Sequence, residues 1–414
     1  MDLEHHSKVP IFLRMHGSIM PRMIFPFTFI AAWSSLITLI SHFWKPLVVN
    51  SVLLTVLGFV VGLGISFRTS SAYERYVDGR RFWAQLSQAS RDLARHIWIH
   101  VEERHSPDPE VGKADLLDKI SALNLVAAFA VALKHRLRFE PYADYDDLAP
   151  LIPHLTTFAT EAANPIAGQG GAPRKTPWKR GGEYLGLSFA ESDPRKQLKR
   201  ATRNLGHLPL EILTHLSAYV VVITRNKTLA TGSEQSILLA NLASLNEVLA
   251  GTERVLNTPL PAAYSIAINQ ITWVYVLMLP FQLWGTLHWV TIPATLVASY
   301  IILGIAAIGK EIENPFGQDV NDLPLDKYCK GLQDEINVVM ARPAPDVETL
   351  FRGEGNGVLL GAGWQQWVQG DTDRIREGLR AKAERASEGD GNEVLHLRLR
   401  EKIKKGRGGG EEEV

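Results

Sequence analysis

Two parts of this chain are almost free of charge. Residues 23–44 contain no Asp, Glu, Lys or Arg, residues 46–67 contain none, and only Lys45 stands between them. Residues 255–309 run for 55 positions without one. Together these stretches hold one of the chain's 44 basic side chains and none of its 44 acidic ones. A membrane-crossing helix needs about 20 mostly apolar residues. Residues 23–44 and 46–67 therefore fit one span each. The longer tract suits two, near 266–285 and 289–309, with Gly285, Thr286 and His288 between them. Backbone polar groups must be satisfied inside lipid, so the spans are expected to be helices. The ten-residue alternation of an outer-membrane barrel is missing. Buried core helices of a large soluble protein are the competing reading, and the length of the uncharged runs weighs against it. A removable leader is not expected, because the first 20 residues carry Glu4, three histidines and Pro10.

Charge at the span ends gives an orientation. Lys8, Arg14 and Arg22 precede the first span, Arg68, Arg75, Arg80 and Arg81 follow the second, and Lys310 follows the fourth. The opposite side has only Lys45. By the positive-inside rule both termini and the large middle region face the cytosol. The balanced total charge gives no general attraction to nucleic acid. A single cysteine, Cys329, excludes a disulfide framework and a cysteine-rich zinc module.

The soluble part reads as helical. Phe82, Leu86, Ala89, Leu93 and Ile97 keep helical spacing, as do Leu116, Ile120, Leu123, Ala127 and Val131. Residues 209–228 and 234–256 suggest two more helices, and no segment reads convincingly as strand-rich. The stretch 164–186, rich in Gly, Pro, Lys and Arg, is expected to be an exposed loop. Residues 371–404 suggest partial helix and the last dozen disorder. The segments follow as 1–22, 23–67 (spans one and two), 68–257 (helical cytosolic region), 258–309 (spans three and four), 310–368 and a charged tail, 369–414. No internal repeat is evident.

Catalytic constellations are missing from the sequence. No Walker pattern, nucleophile elbow or His-Glu-x-x-His occurs, and the histidines are scattered. Gly58, Gly62 and Gly64 in span two suit close helix packing better than a phosphate loop. Proton-coupled transporters usually carry intramembrane ionisable groups, and here only His42 and the boundary Lys45 qualify. An enzyme and an active transporter are thus disfavoured, and a passive pore remains. Phe59, Leu63 and Phe67 stand at i, i+4 and i+8, on one helix face. Copies of such a face around an axis would make an apolar ring that gates by wetting and dewetting. Alternatively, these side chains only pack against neighbouring helices.

The string Phe67-Arg-Thr-Ser-Ser-Ala-Tyr-Glu-Arg-Tyr-Val-Asp-Gly-Arg-Arg-Phe-Trp83 resembles the signature of the bestrophin family. Glu253-Arg-Val-Leu-Asn-Thr-Pro-Leu-Pro-Ala-Ala-Tyr264 is similar to that family's lead into the third span. Glu313-Asn-Pro-Phe-Gly-Gln-Asp-Val-Asn-Asp-Leu-Pro-Leu-Asp326 is similar to its segment after the fourth, and Leu13-Arg-Met-His-Gly-Ser18 to the opening of bacterial members. The likeness covers about residues 9–345, in the right order, and is closer to the bacterial and fungal branch than to the animal one.

The resemblance implies an all-α membrane protein with four membrane helices and a large helical cytosolic region, assembled as a funnel-shaped homopentamer around a central pore. The implied function is a passive channel for chloride or other monovalent anions. Its partners would be further copies of the chain, the permeant ions and membrane lipid. The family's hydrophobic neck falls on Phe59, Leu63 and Phe67. Because Leu occupies the middle ring, a monovalent-cation channel stays open as an alternative, beside a non-conducting scaffold. A second constriction at the cytosolic mouth falls near Ser233 and Glu234. There Glu234 is either a pore-lining carboxylate or an ordinary acidic residue in the first turn of a helix. Animal members bind calcium after Asn-Pro-Phe-Gly. Asn314, Asp319 and Asp322 match that place, although Val320 and Asn321 interrupt the acidic run. Either they hold calcium, or they form an Asn-Pro turn with capping Asp residues.

Overall fold

The computed structural model describes residues 17–49, 51–105, 107–161, 206–229, 231–353 and 355–385. The expected basic loop at 164–186, the residues before Gly17 and the tail beyond 385 lie outside the described residues. The chain divides into two compact units, the first ending at Ala341 and the second beginning at Arg342. Among the described residues the regular structure is helical, with two isolated β-bridges and no strand.

In the first unit, α1 (Met20–Phe43) occupies the first charge-free tract. An irregular link follows, in which the Val49 N–H donates to the Phe281 carbonyl at 3.3 Å. Next comes α2 (Ser51–His100), a 50-residue helix and thus about 75 Å long. The order continues with α3 (Pro109–Leu137), the short α4 (Phe158–Glu161), α5 (Leu208–Arg225), α6 (Gly232–Asn257), α7 (Ala262–Leu287), α8 (Thr291–Glu311) and α9 (Leu325–Met340). The long apolar tract breaks at His288, whose φ of 47° is left-handed backbone that non-glycine residues seldom adopt. One 3₁₀ turn, His288–Val290, then leads into α8. The expected separate helices at 46–67 and about 81–101 are one helix, beginning later, at Ser51.

Local chemistry explains the helix ends. Asp108 precedes Pro109 and accepts from the Glu110 N–H at 3.0 Å, while Lys134, His135 and Arg136 fill the last turn of α3. An acceptor at the N-cap, proline in the first turn and cations at the C-terminus each suit the helix dipole or its unpaired donors.

Among the described residues, five stretches are long and apolar enough to cross a membrane: Met20–Phe43, Leu54–His100, Pro109–Leu137, Leu208–Arg225 and Ala262–Glu311. Their surroundings differ. The most apolar window of α3 is 67% buried within the protein, against 28% for α1 and 22% for α2 and for the α7–α8 stretch. Trp83, Leu86 and Leu93 of α2 join Leu123, Phe129 and Leu133 of α3, Leu245 of α6 and Ile336 of α9 in the main core. A smaller core of Met23, Ile30, Val276 and Leu303 joins α1, α7 and α8. Ser34, Thr38, Thr291, Thr295 and Ser299 are fully buried in that region, and small side chains let membrane helices approach closely.

The second unit contains α10 (Val347–Phe351), α11 (Trp364–Val368) and a helical run over 372–385. Within it the Trp367 indole donates to the Leu359 carbonyl at 3.0 Å, and Arg374 lies over the same ring.

Candidate functional site

The site is organised by α2, which has one face turned into the protein and one left open. Val61, Ile65, Arg68, Ala72, Trp83 and Leu86 are buried. Phe59, Leu63 and Phe67 are 73%, 44% and 59% exposed. Each step of four residues turns a helix by only about 40°, so these three form one stripe. That stripe lies about 170° from the mean direction of the buried face by the same geometry. Within the chain, therefore, nothing packs on Phe59, Leu63 or Phe67 to any large extent. The glycines of this segment divide by the same rule. A Cβ on Gly58 would lie 3.0 Å from the Tyr275 hydroxyl, and one on Gly64 3.5 Å from Ile268, so both mark close approach to α7. Gly62 meets nothing within 4 Å.

The three sequence strings meet around the next stretch of α2. Arg75 donates to the Glu313 carbonyl at 3.0 Å, to the Val255 carbonyl at 2.7 Å and to the Thr258 carbonyl. It thereby satisfies carbonyls at the C-terminal end of α6, which have no partner within their own helix. Gly79 has no room for a side chain, since a Cβ would stand 3.0 Å from Pro315 and 3.1 Å from the fully buried Phe316. Arg68 lies 3.6 Å from Glu313. The signature thus reads as a fastening of α2 to the end of α6 and to the Asn-Pro-Phe turn. Arg68, Arg75 and Gly79 of the signature hold the open stripe in place, while its first residue, Phe67, belongs to the stripe.

Glu234 sits in the first turn of α6. It accepts from the Thr231 N–H at 3.1 Å and stands 3.2 Å from His100 Nδ1 at the end of α2. Ser233 is exposed, with its hydroxyl 2.7 Å from that of Thr231. The helix-terminus reading of Glu234 describes its contacts, and the link to His100 had no signal in the sequence.

The carboxylates after Asn-Pro-Phe-Gly are already engaged. The Arg22 guanidinium donates to Glu311 and to Asp319, both at 2.9 Å. Asn321 donates to Glu311 at 2.8 Å and to the Gly17 carbonyl at 3.0 Å. Asp322 accepts from the Asp319 N–H at 2.7 Å, and burial pushes its carboxyl up to about 6. Asn314 lies beside this turn, near Gly317. Among the described residues no group of three or more His, Cys, Asp and Glu side chains is placed to hold a metal. Calcium needs six to eight converging oxygens, and here a guanidinium fills the position between two carboxylates. The arrangement of Asn314, Asp319 and Asp322 does not fit the expected calcium site, and Arg22 does the joining.

A second ionic cluster fixes the segment from the other side. Buried Lys134 pairs with Asp147 and, at 2.8 Å, with Asp326, which also pairs with Arg138 at 2.9 Å. These cations hold the Asp326 carboxyl down at about 2 against the opposing effect of burial. His135 bridges Glu140 at 2.6 Å and Asp147 at 2.9 Å.

Known proteins resemble the chain in sequence and in fold. Residues 3–169 and 187–338 match the family described as bacterial/fungal bestrophin protein. A voltage-dependent anion channel-forming protein of Synechocystis is 31% identical over 344 residues, covering 82% of this chain and 95% of the relative. One of Nostoc is 34% identical over 304 residues, covering 73% and 81%. In structure, a bestrophin homologue from Klebsiella pneumoniae superposes with a TM-score of 0.58 at 22% identity, covering 78% of this chain and all of the other. A matched sequence over most of the chain, a shared helical fold and the meeting of the three strings around α2 agree: the chain is a member of the bacterial/fungal bestrophin family.

Proposed function

We propose that the chain is one subunit of a passive channel for chloride or similar monovalent anions, a homopentamer with α2 lining its axis. In this reading α1, the first half of α2, α7 and α8 cross the membrane, and both ends of the first unit face the cytosol. The α3 helix does not cross. It is mostly buried within the protein, and only 14 residues separate Lys119 from Lys134, a length that suits a core helix. The observation that carries the reading is the stripe of Phe59, Leu63 and Phe67 on the side of α2 opposite its packing face. The Synechocystis and Nostoc relatives, named as anion channel-forming proteins, favour the same ion class.

Five copies of this stripe around an axis would form a short apolar neck. A short constriction limits the cost of shedding water. The edges of phenylalanine rings are electropositive, so rings of Phe59 and Phe67 favour an anion without binding it through fixed charge. Ser233 and Glu234 stand at the cytosolic mouth. Because Glu234 is tied to its cap and to His100, it steadies that mouth more than it offers a bare carboxylate.

The test is flux from salt-loaded vesicles and planar-bilayer recording of the purified protein in asymmetric potassium chloride. The expected reversal potential lies on the chloride side. A potential of opposite sign would indicate a cation channel of the same fold, and absence of flux a scaffold. Replacing Phe59, Leu63 and Phe67 together by Ala should give a leaky, constitutively open pore.

A further inference from the structure

The face that carries the neck does not end at Phe67. Because α2 is one unbroken helix from Ser51 to His100, its register runs on into the cytosolic region. Steps of three and four residues keep a helix face. From Phe67 they lead to Ser70, Glu74, Val77 and Arg81, all exposed. Glu74 stands two turns, about 10 Å, beyond Phe67, and Arg81 the same distance further.

Three neighbouring cations on α2 are engaged, and Asp78, without an ion pair among the described residues, is only partly exposed and lies about 60° off the stripe. Arg68 meets Glu313, Arg75 meets three carbonyls, and Arg80 lies over the Tyr328 ring. Further along the open face, Asp92 and Arg95 pair with each other at 2.8 Å. Glu74 and Arg81 differ: no ion pair among the described residues involves either of them. On the other side of the neck, residues 46–67 carry no charge at all. The unneutralised charges of the stripe therefore lie on one side of the constriction, the negative one nearer to it.

We propose that Glu74 and Arg81 determine ion specificity, as two charged rings lining the cytosolic side of the pore. This rests on the pentameric channel reading above. The Arg81 ring gathers anions from the cytosol. The Glu74 ring, between it and the neck, repels them and sets how much cation the channel passes. A confined path focuses such fields. Salt weakens them, since the screening length falls from about 10 Å at 0.1 M to about 3 Å at 1 M.

Single-channel recording of the full-length protein and of Glu74→Gln and Arg81→Gln, at 0.1 M and 1 M potassium chloride, tests this. At 0.1 M, Glu74→Gln should raise anion conductance about twofold and move the reversal potential toward that of chloride, while Arg81→Gln should do the reverse. At 1 M both should approach the unmodified channel. Size-exclusion elution at the unmodified position checks that the variants assemble. If the unmodified protein conducts and neither variant differs from it at 0.1 M, the rings do not act and the proposal fails, while the channel reading stands. Equal changes at both salt concentrations mean a structural effect, which also overturns it. A silent unmodified protein would remove the channel reading itself, and the rings with it.

Discussion

The most apolar stretches of helices α1 and α3 have nearly equal mean hydropathy, 1.9 and 1.8, yet they have opposite surroundings. The window of α3 is 67% buried by protein and that of α1 only 28%. Their cations differ in burial too. Lys119 and Lys134 of α3 are buried and held by Glu103 at 3.3 Å and by Asp147 and Asp326, so the helix is anchored inside a charged shell. Around α1 the nearest charges are Arg22 at its beginning and Lys45 beyond its end. Its outward Phe25, Phe29 and Leu36 remain 51%, 46% and 48% exposed. Arg22 of α1 is also paired but half exposed, whereas Lys119 and Lys134 of α3 are buried, and in the proposed channel only α1 of the two crosses the membrane.

Single substitutions separate the two helices. Phe129→Ala, at a fully buried position of α3, should cost about 3–5 kcal/mol by opening a cavity. Leu36→Ala on the outward side of α1 should cost less than about 1 kcal/mol in detergent, as lightly packed positions do. Thermal unfolding of the two variants side by side measures both. Similar costs would remove the distinction between the helices. Lys134→Ala should follow at about 2 kcal/mol, through the lost charge-assisted hydrogen bonds to the partly exposed Asp147 and Asp326. Gly79→Ala should cost about 1–3 kcal/mol through overpacking on Pro315 and Phe316, readable by the same unfolding assay.

Acid weakens the ion pairs that anchor α3. The Asp326 carboxyl is held down at about 2 by Arg138 and Lys134. A depressed pKa means stability that is present above the ordinary carboxylate range and lost as pH falls toward the folded value. The melting temperature of Asp326→Asn should lie below that of the unmodified protein at neutral pH, with the gap closing between about pH 4 and pH 2. A gap that persists at pH 2 would show that the pair does not contribute through charge. The smallest effect expected is that of calcium. With Arg22 between Glu311 and Asp319, adding calcium or a chelator should leave the current unchanged, and a calcium-dependent current would contradict the guanidinium assignment.

Much of this molecule was legible in its sequence. Charge-free tracts and helical spacing led to α1, α7 and α8, and to α5 and α6 within a few residues. The continuity of α2 was not legible. Between Arg68 and Gly79 its inward positions are Arg68, Ala72, Arg75 and Gly79, which give no apolar rhythm. They are polar or small because they face carbonyls of α6, Glu313 and the Phe316 ring, and those partners lie some 180 to 240 positions away in the chain. The stripe of Phe59, Leu63 and Phe67 could be read from spacing, whereas its lack of partners could not. The Arg22 bridge was not legible for the same reason, since its acidic partners stand 289 and 297 positions away.

An axial apolar neck can be tested through a single thiol. Cys329 is the only native cysteine, and it is buried, which raises its thiol to about 12 and leaves it unreactive near neutral pH. Leu63→Cys therefore adds the one reactive site. During bilayer recording, a charged, membrane-impermeant thiol reagent should block the Leu63→Cys current and leave the unmodified channel untouched. If mass spectrometry shows Leu63→Cys fully modified while its current is unchanged, the stripe faces something other than the ion path.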